Sequence, residues 1–137
     1  MALSIYAAFL AALLVFLSLH VIRARMSSET VLGDGNDLEL QRRIRAHANL
    51  VEYAPLFLVL LAIAEFNGLN YAYVHGFGGA FVLGRLLHVY SLLVHEQYEK
   101  GKIVSKPVYR IYGMQITFAC IAFLAIILGI QFVEKSF

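Results

Sequence analysis

QRRIRAHANLVEYAP, residues 41–55, packs three arginines, a histidine, an asparagine and a glutamate into a single stretch. The apolar run Leu56–Ala64 follows at once. A helix that starts so polar and continues into lipid-compatible sequence must find partners for its polar groups, because the hydrocarbon offers none. At 3.6 residues per turn, Arg42, Arg45, Asn49 and Glu52 fall within about 80° of arc. They form one stripe that descends from the membrane surface into the apolar layer. The rest of the chain must bury that stripe, so the stretch predicts a bundle of membrane-spanning helices.

The composition agrees. The 137 residues are 61% hydrophobic and only 15% charged, with a mean hydropathy of +0.74. A soluble domain is nearer 45–50% apolar and about 25% charged. The reading is an all-α integral membrane protein made of one domain, residues 1–137. The net charge of +2 is small, and bases alternate with acids, which argues against nucleic-acid binding. Cys120 is the single cysteine, so an intrachain disulfide is excluded. No histidine spacing resembles a metal site.

Four spans are expected, at about 2–26, 38–66, 71–97 and 107–133. The first is apolar to Ile22 and has its charges, Arg23 and Arg25, after the apolar run, unlike a signal peptide. Gly33-Asp34-Gly35-Asn36 reads as a turn-rich loop. Asp37 is placed to cap the second helix, and Pro55 should kink it beyond the polar stripe. Asn67–Asn70 is a tight turn. The third helix carries Gly76, Gly78, Gly79 and Gly84, which allow close helix approach. Pro107 suits the first turn of the fourth.

Basic residues set the orientation. Arg23, Arg25, Arg42, Arg43 and Arg45 flank one long loop; Lys100, Lys102, Lys106 and Arg110 flank the other. The 67–70 turn has no base. Both long loops are therefore expected in the cytoplasm and both termini outside.

Each helix brings ionisable groups to the cytoplasmic end: His20 and Arg23; the Arg42/Arg45/Asn49/Glu52 stripe; Arg85 and His88, with His95 on the same face; and Arg110, with Tyr109 and Tyr112 beside it and Thr117 further along. A central arginine costs roughly 2.5–3.5 kcal/mol on insertion scales, so these groups must converge. Glu52 is the main acid in reach, and it does not balance Arg45, Arg85 and Arg110. A cytoplasm-facing pocket for an anionic ligand follows, with arginines as carboxylate clamps. The residues alone leave other readings open. Arg23, Arg25, Arg42 and Arg43 fit membrane-surface anchors, Arg45 with Glu52 a structural ion pair, His88 a buried core histidine, and Tyr109 and Tyr112 an interfacial belt.

Here the sequence resembles a known superfamily. Arg45-Ala46-His47-Ala48-Asn49 with Glu52 and Pro55-Leu56-Phe57 is similar to the second-helix signature of the membrane-associated proteins in eicosanoid and glutathione metabolism (MAPEG), which include the microsomal glutathione transferases. Gly84-Arg85-Leu86-Leu87-His88, Arg110-Ile111-Tyr112-Gly113-Met114 and Val21-Ile22-Arg23-Ala24-Arg25 resemble its motifs on the other helices. The likeness covers nearly the whole chain. The sequence departs from the superfamily's synthases at Ala48 and Leu92, and its Pro107–Arg110 spacing is one residue longer. The resemblance, which is to bacterial members, implies a four-transmembrane-helix bundle of a bacterial inner membrane assembling as a homotrimer, with glutathione as co-substrate bound between subunits. Arg45, Asn49 and Glu52 would hold it. Arg23, Arg85, His88, Tyr109 and Tyr112 would line the site, and Arg110 would stabilise the thiolate as the catalytic group.

The implied activity is a glutathione transferase acting on lipophilic electrophiles drawn from the bilayer, with reduction of lipid hydroperoxides as a related outcome. The alternative within the superfamily is a non-catalytic lipid-binding scaffold. A proton-coupled transporter could also use buried Arg, His and Glu.

Overall fold

The computed structural model describes residues 1–99 and 102–136. The chain is an all-α integral membrane protein whose four helices are long and apolar enough to cross a bilayer. Helix α1 is Leu3–Ser27, α2 is Leu38–Phe66, α3 is Tyr71–Tyr90 and α4 is Val108–Ser136. Asp37 caps α2, its carboxylate accepting from the amides of Glu39 at 2.8 Å and Leu40 at 3.3 Å. Asn70 caps α3 through the amide of Ala72 at 2.8 Å. Helix α2 continues through Pro55.

The helices run up and down. At one end the Glu65 carboxylate accepts from the amides of Ala2 and Leu3, and Lys135 donates to Asn67 at 2.8 Å. Both chain ends thus sit beside the 67–70 turn. The opposite end holds both long connections. Arg25 pins the first by donating to the Gly33 carbonyl at 2.8 Å. The second differs from expectation. Helix α3 does not continue to Gln97; its last turn, Ser91–His95, is a π-turn, and a short antiparallel hairpin pairs Tyr98 with Ile103 and Glu99 with Lys102. Helix α4 starts just after Pro107, whose carbonyl accepts from the amide of Ile111 at 3.0 Å. Lys100, used above for orientation, lies outside the described residues.

The core lies on the inward stripes of all four helices. Phe57 and Phe81 stack face to face with centroids 3.8 Å apart, among Leu17, Leu61 and Leu124. Helices α3 and α4 meet at two glycines. A Cβ on Gly113 would lie 2.5 Å from the Gly84 carbonyl oxygen, so the backbones approach as only glycine permits. Helices α1 and α4 bury just 17% of their apolar windows. Their outward faces, with Val15, Phe123, Ile126 and Phe132, match an acyl-chain environment rather than water.

Candidate functional site

The site is built at the end of the bundle that carries the long connections, and Arg85 lies at its centre. Arg85 is 1% exposed, although a guanidinium is among the groups least often buried without a partner. The Gly84–Gly113 contact makes its position possible. It brings the Gly113 carbonyl within 3.3 Å of Nη2. The same nitrogen donates to Thr117 Oγ1, while Nη1 donates to Asn49 Oδ1. Thr117 Oγ1 in turn donates to the Gly113 carbonyl at 2.8 Å. The rings of Tyr53 and Phe81 each lie 5.6 Å from the guanidinium carbon. Every one of these partners is neutral. Nε has no hydrogen-bond partner among the described residues.

Above Arg85 lies a groove of about 520 Å³ between α2, α3 and α4, lined by Arg45, Asn49, Glu52, His88 and Arg110 among others. That size lies within the range of small-molecule sites, about 300–1,000 Å³. Because Asn49 offers its oxygen to Arg85, the amide nitrogen is the end left for the groove. Arg45 and Glu52 stand 3.8 Å apart with side chains 63% and 47% exposed; such a pair is weak and is easily exchanged for a ligand. His88 is buried, and its Nδ1 has no partner among the described residues. Ile111, Met114 and Phe118 give the groove an apolar wall on α4.

Five of the nine residues singled out from the sequence therefore share one groove: Arg45, Asn49, Glu52, His88 and Arg110. Arg85 lies behind its wall and reaches it through Asn49. Three are not brought in within a single chain. Arg23 is exposed on α1. Tyr109 packs edge-on against Tyr90 and His95, at 5.3 and 4.8 Å between centroids. Tyr112 is exposed on α4.

The expected stripe loses one member. Arg42 turns from the groove to the end of α3, where Nε donates to the Leu92 carbonyl at 2.6 Å and Nη2 to that of Glu96 at 3.1 Å. A π-turn and the chain leaving it expose such carbonyls, and an arginine on the neighbouring helix satisfies them. His47 is likewise structural, with Nε2 3.1 Å from Ser18 Oγ on α1.

The reading of the residues missed Glu96. The expected helix through Gln97 puts His95 on the site face and gives Glu96 no role. In the structure Glu96 is 2% exposed and 3.3 Å from Arg110 Nε, so the acids near the site number two rather than one. Tyr98 donates to the same carboxylate. Burial, and then that bond, push the Tyr98 phenol above its usual value of 10.0. Glu96 shares its stretch with Glu99, and the residue types do not mark which of the two turns inward.

The chain belongs to the MAPEG family, whose pattern matches residues 3–130. At family level this places it among membrane-associated proteins of eicosanoid and glutathione metabolism. Its similar proteins include inner membrane protein YecN of Escherichia coli strain K12 and YecN of Escherichia coli O6:H1. Each is 42% identical over 88 residues, which cover 64% of this chain and 67% of theirs.

Proposed function

We propose that the chain is a membrane glutathione transferase that activates the glutathione thiol for attack on lipophilic electrophiles. The observation that carries this reading is Arg85: a buried guanidinium with only neutral partners, directly beneath a groove that also presents Arg45 and Arg110. Such a site favours an anion. Glutathione has two carboxylates, an ammonium and a thiol. Arg45 and the Asn49 amide suit the carboxylates, Glu52 the ammonium, and Arg110 the sulfur.

The chemistry needs little else. A free thiol has a pKa near 8.5, so only a few per cent is thiolate at neutral pH; lowering it by about two units makes the anion the major form. The Arg110 guanidinium, at the N-terminal end of α4, favours the anion both by its own charge and through the helix dipole. The proton leaves to solvent through the open groove. The sulfur then bonds to the electrophilic carbon as the leaving group departs with its electron pair. The apolar wall on α4 faces the side from which a bilayer-dissolved electrophile arrives, and holding both reactants supplies proximity.

Arg23, Tyr109 and Tyr112 join the site only if a neighbouring copy brings them, which fits a homotrimer with glutathione between subunits. The site end would face the cytoplasm from the inner membrane, by the distribution of basic residues. The test is conjugation of glutathione to chlorodinitrobenzene by the purified protein. Turnover that falls at least tenfold in Arg110→Ala is expected. Turnover no faster than the uncatalysed reaction across several electrophiles sinks the proposal. Glutathione binding without turnover would favour a lipid-binding scaffold, for which the apolar groove of about 400 Å³ between α3 and α4, over Gly76 and Cys120, provides a place.

A further inference from the structure

Arg110 does not hang free over the groove; it is gripped from behind. The grip begins with the helix register. Seven residues after His88, an α-helix would bring His95 onto the site face. The π-turn at Ser91–His95 inserts one residue into that spacing. His95 is thereby turned onto Tyr90 and Tyr109, and Glu96 takes the inward position. The Glu96 amide donates back to the Ser91 carbonyl at 2.8 Å, which closes the turn.

Glu96 is then held on every side. Ser91 Oγ donates to Oε1 at 2.8 Å, Tyr98 donates to Oε2, and Arg42 holds the backbone carbonyl at 3.1 Å. Arg42 also lies over the Tyr98 ring at 5.4 Å. A buried carboxylate is costly unless it is paired and hydrogen-bonded, and here both oxygens accept hydrogen bonds and one is also ion-paired. Arg110 is ion-paired with it, its Nε 3.3 Å from Oε1. A guanidinium carries five N–H donors, so an arginine paired with one carboxylate can still meet a second anion. Arg110 also lines the groove.

We infer that Glu96 is a positioning residue that aims the Arg110 guanidinium into the groove, and that the π-turn serves to deliver it there. This rests on the reading of Arg110 as the thiolate's partner. The groups facing Arg110 are Glu96 behind it and His88, Arg45 and Glu52 across the groove. Length and charge at position 96 therefore have separable effects. Glu96→Asp keeps the charge but withdraws the carboxylate by one methylene, so Arg110 loses its grip. Glu96→Gln keeps the reach and an accepting oxygen but removes the charge that offsets Arg110.

The test follows the ultraviolet absorbance of bound glutathione thiolate against pH, in purified wild type, Glu96→Asp, Glu96→Gln and Glu96→Ala, with glutathione affinity measured alongside. Glu96→Asp and Glu96→Ala should raise the bound thiol's pKa by about one unit, a tenfold loss of thiolate below it, while affinity changes less than about threefold. Glu96→Gln should leave that pKa at or below the wild-type value. If Glu96→Ala fails to fold, the Asp and Gln variants decide alone. A pKa unchanged in Glu96→Asp, or raised equally in Glu96→Asp and Glu96→Gln, overturns the role of Glu96 and leaves the transferase reading standing. Wild-type protein that binds no glutathione, or holds it as the ordinary thiol, overturns both.

Discussion

Gly113→Ala tests whether the crossing of α3 and α4 sets the site. The new Cβ would stand 2.5 Å from the Gly84 carbonyl oxygen and 3.0 Å from the His88 amide nitrogen. Both obstacles are backbone, so no side chain can swing away. Restoring ordinary contact at 3.4 Å requires the helices to part by about 0.9 Å. Overpacking of this kind costs about 1–3 kcal/mol. The same movement carries the Gly113 carbonyl, already 3.3 Å from Arg85 Nη2, beyond hydrogen-bond range. Gly79→Ala is the control: it lies on α3, the partner helix in the crossing, but its Cβ meets nothing within 4 Å, and exchanging a helical glycine for alanine gains roughly 0.5–1 kcal/mol. Cys120 provides the assay, being the single cysteine and buried. A thiol-reactive dye in detergent reports its exposure on heating. At about 2–6 °C per kcal/mol for a chain of this size, Gly113→Ala should melt several degrees below wild type and Gly79→Ala at or above it. Equal melting of Gly113→Ala and wild type, or an equal loss in both variants, refutes the argument.

Thr117→Val removes an acceptor from Arg85 at nearly constant volume. It should cost about 1.5–3 kcal/mol, the usual value for a hydrogen bond to a charged group, read in the same dye assay. Arg45→Ala should weaken glutathione binding about tenfold or more by calorimetry, since one charge-assisted contact is worth at least 1.4 kcal/mol. Its melting temperature should not move, because the Arg45 side chain is 63% exposed. Tyr98 gives a pH signature. Its phenol is raised above 10.0 by burial and by donation to Glu96, so the folded protein holds that proton more tightly than the unfolded chain does. The contribution is complete below pH 10 and fades as pH rises through the folded value. Wild type should therefore lose melting temperature more steeply than Tyr98→Phe above pH 10; parallel curves would contradict the Tyr98–Glu96 bond.

The four helices were legible because apolar runs of membrane length are a strong signal, and because Asp37 and Asn70 cap as short polar side chains do. The convergence of Arg45, Asn49, Glu52, His88 and Arg110 was legible for a related reason. Charge cannot face lipid, so the polar stripes of separate helices must meet. The π-turn was not legible. It differs from an α-turn by one residue of hydrogen-bond register, and Ser91–His95 has no composition that marks it. One unseen residue exchanged His95 for Glu96 on the inner face and called Arg42 away to cap the freed carbonyls. The Gly84–Gly113 contact was half legible. Glycines on α3 announced close packing, but which of them would meet a neighbour depended on how the helices cross; Gly76 and Gly79 meet nothing.

Glu96 changes the account of charge without cancelling it. The site holds the guanidiniums of Arg45, Arg85 and Arg110 against the carboxylates of Glu52 and Glu96, and the carboxylates are not shared evenly. Glu96 grips Arg110, and Glu52 stands near Arg45 where water screens the pair. Arg85 has neither. Its charge is spread instead over the oxygens of Asn49, Thr117 and Gly113 and two aromatic faces. These dipoles stabilise a cation but do not neutralise it. Asn49 bonds to Arg85 through oxygen, so it turns a positive amide edge toward the groove and passes the buried charge on. An anion bound there would meet Arg45 through solvent, Arg110 through a guanidinium already shared with Glu96, and Arg85 through one fixed amide. Of the three, only the last is fully withdrawn from water, and it is the one that salt would screen least.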